Sequence, residues 1–116
     1  MNSKEISKNW FNKWENGDFY SLPITENFEH VSPFGIIKSK KDYINLVESN
    51  KDKFLNYQFN ILDEVYTENK SCIRYTAIQN DFKLDVSEWH YIKNGLIEKV
   101  VAYYHIGEIK EDRKLK

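Results

Sequence analysis

The sequence predicts an α+β fold, with helices in the first half of the chain and a meandering sheet in the second. Apolar residues recur at helical spacing over residues 3–16 and again over residues 39–54. Four β-prone runs follow, at residues 57–66, 71–79, 82–93 and 96–106, and short polar turns separate them. The predicted architecture is a curved antiparallel sheet wrapped around N-terminal helices. Helices packed inside such a curve leave a cone-shaped cavity.

The helices are predicted from their apolar stripes and from the residues at their ends. The stripes consist of Ile6, Trp10, Phe11 and Trp14 in the first helix and of Tyr43, Ile44 and Val47 in the second. Gly17 suits the left-handed position that follows a helix, and Ser39 suits an N-cap. Residues 19–26 are predicted to form a short helical segment, irregular near Pro23, and residues 27–32 a short strand.

The hairpin signal is strongest at Asn94-Gly95, where two β-prone runs meet. The length of 116 residues suits one domain, predicted over residues 1–107. Residues 108–116 are rich in charge and poor in apolar side chains, so we expect a frayed tail. The 16% aromatic content suits a cavity lined by rings as well as a core packed with them.

Composition excludes several classes of function. The net charge is -1, so no basic excess is present to hold a phosphate backbone, and no nucleic-acid partner is predicted. Cys72 is the single cysteine, which rules out an intrachain disulfide, and no Cys/His spacing predicts zinc or another metal. No cofactor is predicted. The apolar runs are too short to cross a membrane, and no signal-peptide core is seen, so a cytoplasmic protein is expected.

Two charged residues, Arg74 and Glu88, lie inside strand patterns that should each bury one face. A charge on a buried face serves either a ligand pocket or an ion pair. Both interpretations stay open: an anchored pair that orients a ligand, or a structural pair that satisfies two buried charges. His90 is likewise either a general base, since its ordinary pKa suits proton transfer near neutrality, or a half-buried strand residue with one hydrogen bond.

Four segments together resemble the nuclear transport factor 2-like superfamily, in particular its SnoaL-like branch. They are Trp14-Glu15-Asn16-Gly17-Asp18, Asn27-Phe28-Glu29-His30-Val31-Ser32-Pro33-Phe34-Gly35, Ile73-Arg74-Tyr75-Thr76 and Lys93-Asn94-Gly95-Leu96-Ile97-Glu98. Their order and spacing are similar to the helix end, first strand and loop, Arg-bearing strand and hairpin of that superfamily. The match covers residues 6–106. The resemblance implies a curved sheet cradling helices, commonly in a homodimer.

The resemblance also implies which residues line the pocket. In epoxide-hydrolase-like members the matching Arg faces the cavity, which turns Arg74, Thr76, Glu88, His90, Ala102 and Tyr104 inward. For the first strand, His30 faces the pocket if Phe28 does, whereas the ungapped family comparison turns Glu29 and Val31 inward. The opposite sheet face then carries Tyr75, Trp89, Tyr91, Val101 and Tyr103, and this aromatic row is the predicted dimer face.

Two positions depart from the family pattern. Thr76 and Ala102 stand where the epoxide hydrolases and SnoaL-like cyclases place catalytic carboxylates, so neither chemistry is expected. The resulting interpretation is a binding protein for a small apolar ligand with a polar end, contacted by Arg74, Thr76, Tyr104, Val31 and His30. The alternative is an isomerase, dehydratase or cyclase that uses His90 with Glu88 or His30 as its acid and base.

Overall fold

The computed structural model describes residues 1–107 and 110–115. Two α-helices, α1 (Ser3–Glu15) and α2 (Lys40–Ser49), lie on one face of an open six-stranded sheet. The strands are β1 (Ile24–Ser32), β2 (Gly35–Lys38), β3 (Gln58–Tyr66), β4 (Lys70–Gln79), β5 (Phe82–Lys93) and β6 (Leu96–Tyr103). The α+β fold class predicted from the sequence is therefore confirmed.

Both predicted helices form, and their ends follow local chemistry. The Asn2 side chain caps α1 by accepting a hydrogen bond from the Glu5 amide at 2.9 Å. Ser39 caps α2 in the same way, accepting from the Asp42 amide at 3.1 Å. Gly17 follows α1 with a φ of 70°, a conformation that glycine adopts at no steric cost. The second helix is shorter than predicted, because α2 ends at Ser49 and a 3-10 turn, Lys51–Lys53, replaces its last part.

The sheet has the order β2-β1-β6-β5-β4-β3. Its three hairpins β3–β4, β4–β5 and β5–β6 are antiparallel, as predicted, and Asn94 and Gly95 both have positive φ in the last turn. The expectation of a wholly antiparallel sheet is wrong in one place, because β1 runs parallel to β6. The sheet is therefore mixed.

The helical segment predicted over residues 19–26 is also wrong. Residues 19–26 are helical only over Phe19–Ser21, as a 3-10 turn, and β1 already begins at Ile24. The reason is tertiary: Ile24 pairs with Ile97, and the Ile97 amide donates to the Pro23 carbonyl at 2.8 Å. The short strand β2 was not predicted, and it pairs with β1 across the turn at Pro33-Phe34.

The core lies between the helices and the sheet face that they cover, which we call the inner face. Its most deeply buried members include Ile6, Phe28, Val47, Ile73, Ile97 and Val100, each at most 1% exposed. Part of the predicted frayed tail, residues 108, 109 and 116, lies outside the described residues; Glu111–Arg113 forms a 3-10 turn. Across the described chain, no helix has the length and apolar character needed to cross a membrane.

Candidate functional site

A cavity of about 460 Å³ opens between the two helices and the inner face. Its wall is almost wholly aromatic and aliphatic. Three described residues bring other polar groups to the lining: His30, Ser32 and Glu88. The volume lies within the range of about 300–1,000 Å³ that is typical of small-molecule sites. An apolar wall with a few polar groups is the composition expected of such a site.

Glu88 is the acidic residue of this cavity, on β5, and only 4% exposed. Its Oε1 accepts hydrogen bonds from Trp10 Nε1 at 3.0 Å and from His90 Nε2 at 2.7 Å. Its Oε2 accepts one from the Tyr75 hydroxyl at 2.5 Å. Burial alone would raise the pKa of Glu88, but the hydrogen bonds and charge of His90, with the Tyr75 hydroxyl, outweigh it and hold that pKa below its ordinary value. Glu88 is therefore an ionised carboxylate.

His90, two residues further along β5, is wholly buried and has both ring nitrogens engaged. Its Nε2 contacts Glu88, and its other ring nitrogen, Nδ1, lies 2.7 Å from Ser7 Oγ on α1. Ser7 Oγ in turn lies 2.8 Å from Ser71 Oγ on β4, and both serines are fully buried. This chain of hydrogen bonds joins α1 to the middle of the sheet. A ligand in the cavity cannot reach either nitrogen of His90 without displacing a partner.

The predicted pocket placement of Arg74 and Thr76 is wrong. Arg74 is exposed on the outer face and pairs with Asp63, with 2.7 Å between Nη2 and Oδ2. The Thr76 hydroxyl donates to Asp85 at 2.6 Å on the same face. Register explains this: Ile73 lies opposite Glu88 across β4 and β5, so Ile73, Tyr75 and Ala77 share the inner face and Arg74 does not. Arg74 and Glu88 form no pair.

Because Arg74 is exposed, its removal leaves no buried charge behind. We expect Arg74→Ala to lower the free energy of unfolding by about 1 kcal/mol or less, as for other surface ion pairs. Urea denaturation of the wild type and the variant measures the difference. Thr76→Ala serves as a neighbouring outer-face comparison. A loss several times larger would contradict the placement of Arg74 on the outer face.

The structure resolves the two alternatives for β1 in favour of His30. His30 lies opposite Val100, which is completely buried, and its ring lines the cavity. Val31 lies opposite Val101 and faces the other side, so its predicted pocket placement is wrong. The His30 ring stacks on Tyr43, with 5.1 Å between centroids, and its buried Nδ1 has no hydrogen-bond partner among the described residues.

His30 and the neighbouring tyrosines are uncharged near neutral pH. Burial lowers the pKa of His30, although the charge of Glu88 partly opposes this. Burial raises the pKa of Tyr43 and of Tyr75 well above the ordinary tyrosine value, and the Glu88 charge adds to both shifts. Tyr104, predicted to line the pocket, does so together with Ala102. The cavity therefore combines neutral polar groups with one ionised acid.

Sequence reasoning missed three members of the site. Trp10 was interpreted as helix core, Tyr75 was assigned to the outer face, and Ser7 was not singled out. A signal for Ser7 existed: it lies on the buried side of α1 between Ser3 and Trp10. A polar side chain on a buried stripe needs a hydrogen-bond partner inside the protein. No group of three or more His, Cys, Asp or Glu side chains within residues 1–107 and 110–115 is arranged to hold a metal ion.

Similarity to solved structures shows that the chain has the NTF2-like fold. It is similar to an NTF2-like protein of unknown function from Cytophaga hutchinsonii, with TM-score 0.77 and 16% identity over 90% of this chain and 91% of that one. A SnoaL-like protein of unknown function from Burkholderia thailandensis matches with TM-score 0.75 and 15% identity, over 88% and 92%.

A third solved structure, described as a candidate ketosteroid isomerase from Kribbella flavida, matches with TM-score 0.76 and 12% identity, over 97% of this chain and 87% of that one. No protein-family model and no curated protein sequence matches the chain. The predicted resemblance is thus confirmed for the fold. Because one fold of this kind hosts many functions, activity has to be argued from the site itself.

Proposed function

We propose that this protein binds a small, largely apolar molecule in the inner cavity, with its polar end directed at His30 and Glu88. The observation that carries the proposal is the cavity of about 460 Å³, walled by rings, in which the buried Nδ1 of His30 lacks a partner among the described residues. A buried polar atom without a hydrogen bond costs about 1–3 kcal/mol, so a ligand that supplies one gains affinity there.

A cavity-filling substitution tests this proposal. Ala102 is 4% exposed and its methyl group lines the cavity, so Ala102→Met should fill part of the space. Binding of the neutral fluorescent probe N-phenyl-1-naphthylamine should weaken by about tenfold. Thr76→Met is the matched control, because Thr76 lies on the outer face of a nearby strand and its substitution should leave binding unchanged. Equal loss in both variants, or no binding by the wild type, would contradict the proposal.

A second candidate is an enzyme of the isomerase, dehydratase or cyclase type. The geometry favours His30 over His90 as the group that contacts a substrate, because both nitrogens of His90 are already engaged. A neutral His30 can accept a proton, and the nearby Glu88 carboxylate stabilises the imidazolium that results. Turnover that is lost in His30→Gln but retained in the exposed His105→Gln would support this enzyme candidate. Epoxide hydrolase and SnoaL-type cyclase activities remain unexpected, since Ala102 presents only a methyl group.

We also propose that the outer face forms a homodimer. An apolar row crosses all six strands on that face through cross-strand partners: Val65, Cys72, Trp89, Val101, Val31 and Ile36. Tyr75, predicted to belong to this face, is instead buried in the core. Trp89 is 38% exposed and Val65 64%, which leaves large apolar side chains at the surface. Such a patch is typical of an interface.

The dimer leads to a specific expectation for Trp89→Asp. A carboxylate at the centre of a dry interface is costly to desolvate, so the variant should shift from dimer to monomer. Light scattering at micromolar concentration measures the mass of both proteins. Asn45→Asp, which adds the same charge at an exposed position of α2 on the other side of the sheet, should leave the mass unchanged. A wild-type monomer under these conditions would contradict the dimer.

A further inference from the structure

The cavity lining carries an acidic side chain and no basic side chain of Lys or Arg among the described residues. The acidic residue is Glu88. Arg74, the expected anchor for an anionic ligand, is on the other side of the sheet. Both ring nitrogens of His90 are engaged by Glu88 and Ser7, and desolvation lowers the pKa of the half-buried His30, which favours its neutral form. A carboxylate or phosphate in this cavity would therefore meet a carboxylate and find no free cation.

The proposed function supplies the premise for a narrower inference. We infer that the ligand is an organic cation: a protonated amine on an apolar body, with its ammonium group against Glu88 and the surrounding aromatic rings. This assigns the chemical class of the ligand, which the binding proposal alone leaves open.

The hydrogen bonds of Glu88 leave room for such a group. A carboxylate offers about four lone-pair sites. Oε1 accepts from Trp10 and His90, whereas Oε2 accepts from Tyr75 alone among the described residues. One acceptor position on Oε2 is therefore free for an N–H of a ligand. Buried carboxylates bind most strongly to donors that carry a positive charge.

The rings next to Glu88 add a second source of selectivity. Trp10 and Tyr75 both contact the carboxylate through their polar atoms, and the Tyr43 ring stacks against Trp10 with 6.4 Å between centroids. The negative face of an aromatic ring attracts a cation, and this attraction grows when the site is shielded from water. Aromatic walls around one carboxylate thus favour an ammonium group over a hydroxyl of the same size.

The state of His90 does not reverse this preference. If the imidazole is neutral, Nε2–H donates to Glu88, and Ser7 gives its one hydroxyl proton to Nδ1 in place of Ser71. The network then carries one negative charge. If the imidazole is protonated, the pair with Glu88 has no net charge, and both N–H groups are already engaged, one by Ser7 and one by Glu88. In neither state does the network offer a cation to an anionic ligand.

Three matched probes test the inference: 2-naphthylmethylamine, 2-naphthalenemethanol and 2-naphthoate, which share a ring body and differ in charge. Isothermal titration calorimetry at pH 7 should give the amine about tenfold tighter binding than the alcohol, with the anion weakest. Glu88→Gln should remove the advantage of the amine over the alcohol. Asp85→Asn, which removes a carboxylate from the outer face of the same strand, should leave the ranking unchanged.

The outcomes separate this inference from the proposed function. Binding of the alcohol or the anion as tightly as the amine overturns the cation inference and leaves a pocket that binds neutral or anionic molecules. Failure of all three probes and of N-phenyl-1-naphthylamine overturns both. An amine advantage that persists in folded Glu88→Gln overturns the role given to Glu88. If that variant does not fold, the wild-type ranking decides between the ligand classes.

Discussion

Replacing His90 by Leu should lower the free energy of unfolding by about 3–5 kcal/mol, because it leaves the buried Glu88 carboxylate without its partner. Leucine fills much of the same volume but supplies neither nitrogen. Glu88 then loses the Nε2 hydrogen bond at 2.7 Å, and Ser7 loses its partner at Nδ1. Both groups stay buried, since Ser7 is wholly inaccessible and Glu88 is 4% exposed. Urea denaturation followed by circular dichroism gives the difference.

The same substitution at His105 is the matched control. His105 is exposed beyond the end of β6, so His105→Leu should change stability by about 0.5 kcal/mol or less. A double-mutant cycle with Glu88→Leu then isolates the pair: the two single losses should sum to more than the loss in the double variant, by about 1–3 kcal/mol. Additive losses would show that His90 and Glu88 do not act together.

The pH dependence of stability provides a second measurement of this network. The pKa of Glu88 is lower in the folded protein than in the unfolded chain. The unfolded state therefore takes up more protons as the pH falls through the acid range, and the folded state loses stability there. The contribution of Glu88 is complete above the ordinary carboxyl pKa of about 4.3 and declines below it. His90→Leu should flatten this acid limb, because His90 is the main group that lowers the pKa.

Local patterns in the sequence were sufficient to predict most of the elements. The stripe of α1, the Ser39 cap and the Asn94-Gly95 turn all act between residues close in the chain, so their effect can be read from neighbouring residues. The parallel pairing of β1 with β6 is different, because it joins Ile24 to Ile97. No local rule specifies that partner, and the pairing also prevented the helix predicted over residues 19–26.

The phase of β4 shows how a site can be misassigned on a correctly predicted strand. A shift of one residue exchanges the two faces completely. The composition of β4 already favoured the observed phase, since Ile73, Tyr75 and Ala77 are apolar whereas Arg74 and Thr76 are polar. The family resemblance turned Arg74 inward against that pattern. On β5 and β6 the predicted phase places Glu88, His90 and Tyr104 on the inner face, where the structure has them.

The hydrogen-bond network could not be predicted from periodicity because its members are far apart in the chain. Ser7 and His90 are 83 residues apart, and Trp10 and Glu88 are 78 apart. Each looks ordinary within its own element: a serine on a helix, or a histidine in a strand. The hydrogen bonds that these residues form depend on which helix covers which strand. Packing of α1 across the sheet supplies that information, and only the structure contains it.

Trp10 is where packing and the polar network meet, and Trp10→Ala should cost about 3–5 kcal/mol of stability, as for other large-to-small substitutions in a core. Its ring is 3% exposed and lies within 6.4 Å of the centroids of Trp14, Phe28, Tyr43 and His90. Alanine removes these contacts and enlarges the cavity, and it also deprives Glu88 of the Nε1 hydrogen bond.

Trp10→Phe separates these two effects, because phenylalanine keeps most of the ring contacts and loses the N–H donor. We expect it to cost about 1–3 kcal/mol, the penalty for leaving a buried acceptor short of one partner. Chemical denaturation of both variants measures the two losses. Glu88 should also become easier to protonate in Trp10→Phe, since a donor that favours its ionised form is gone. Its folded and unfolded pKa values then differ less, so the acid limb of stability should become shallower, as in His90→Leu. Equal stability losses in Trp10→Phe and Trp10→Ala would mean that the hydrogen bond to Glu88, and not the packing of the ring, accounts for the contribution of Trp10.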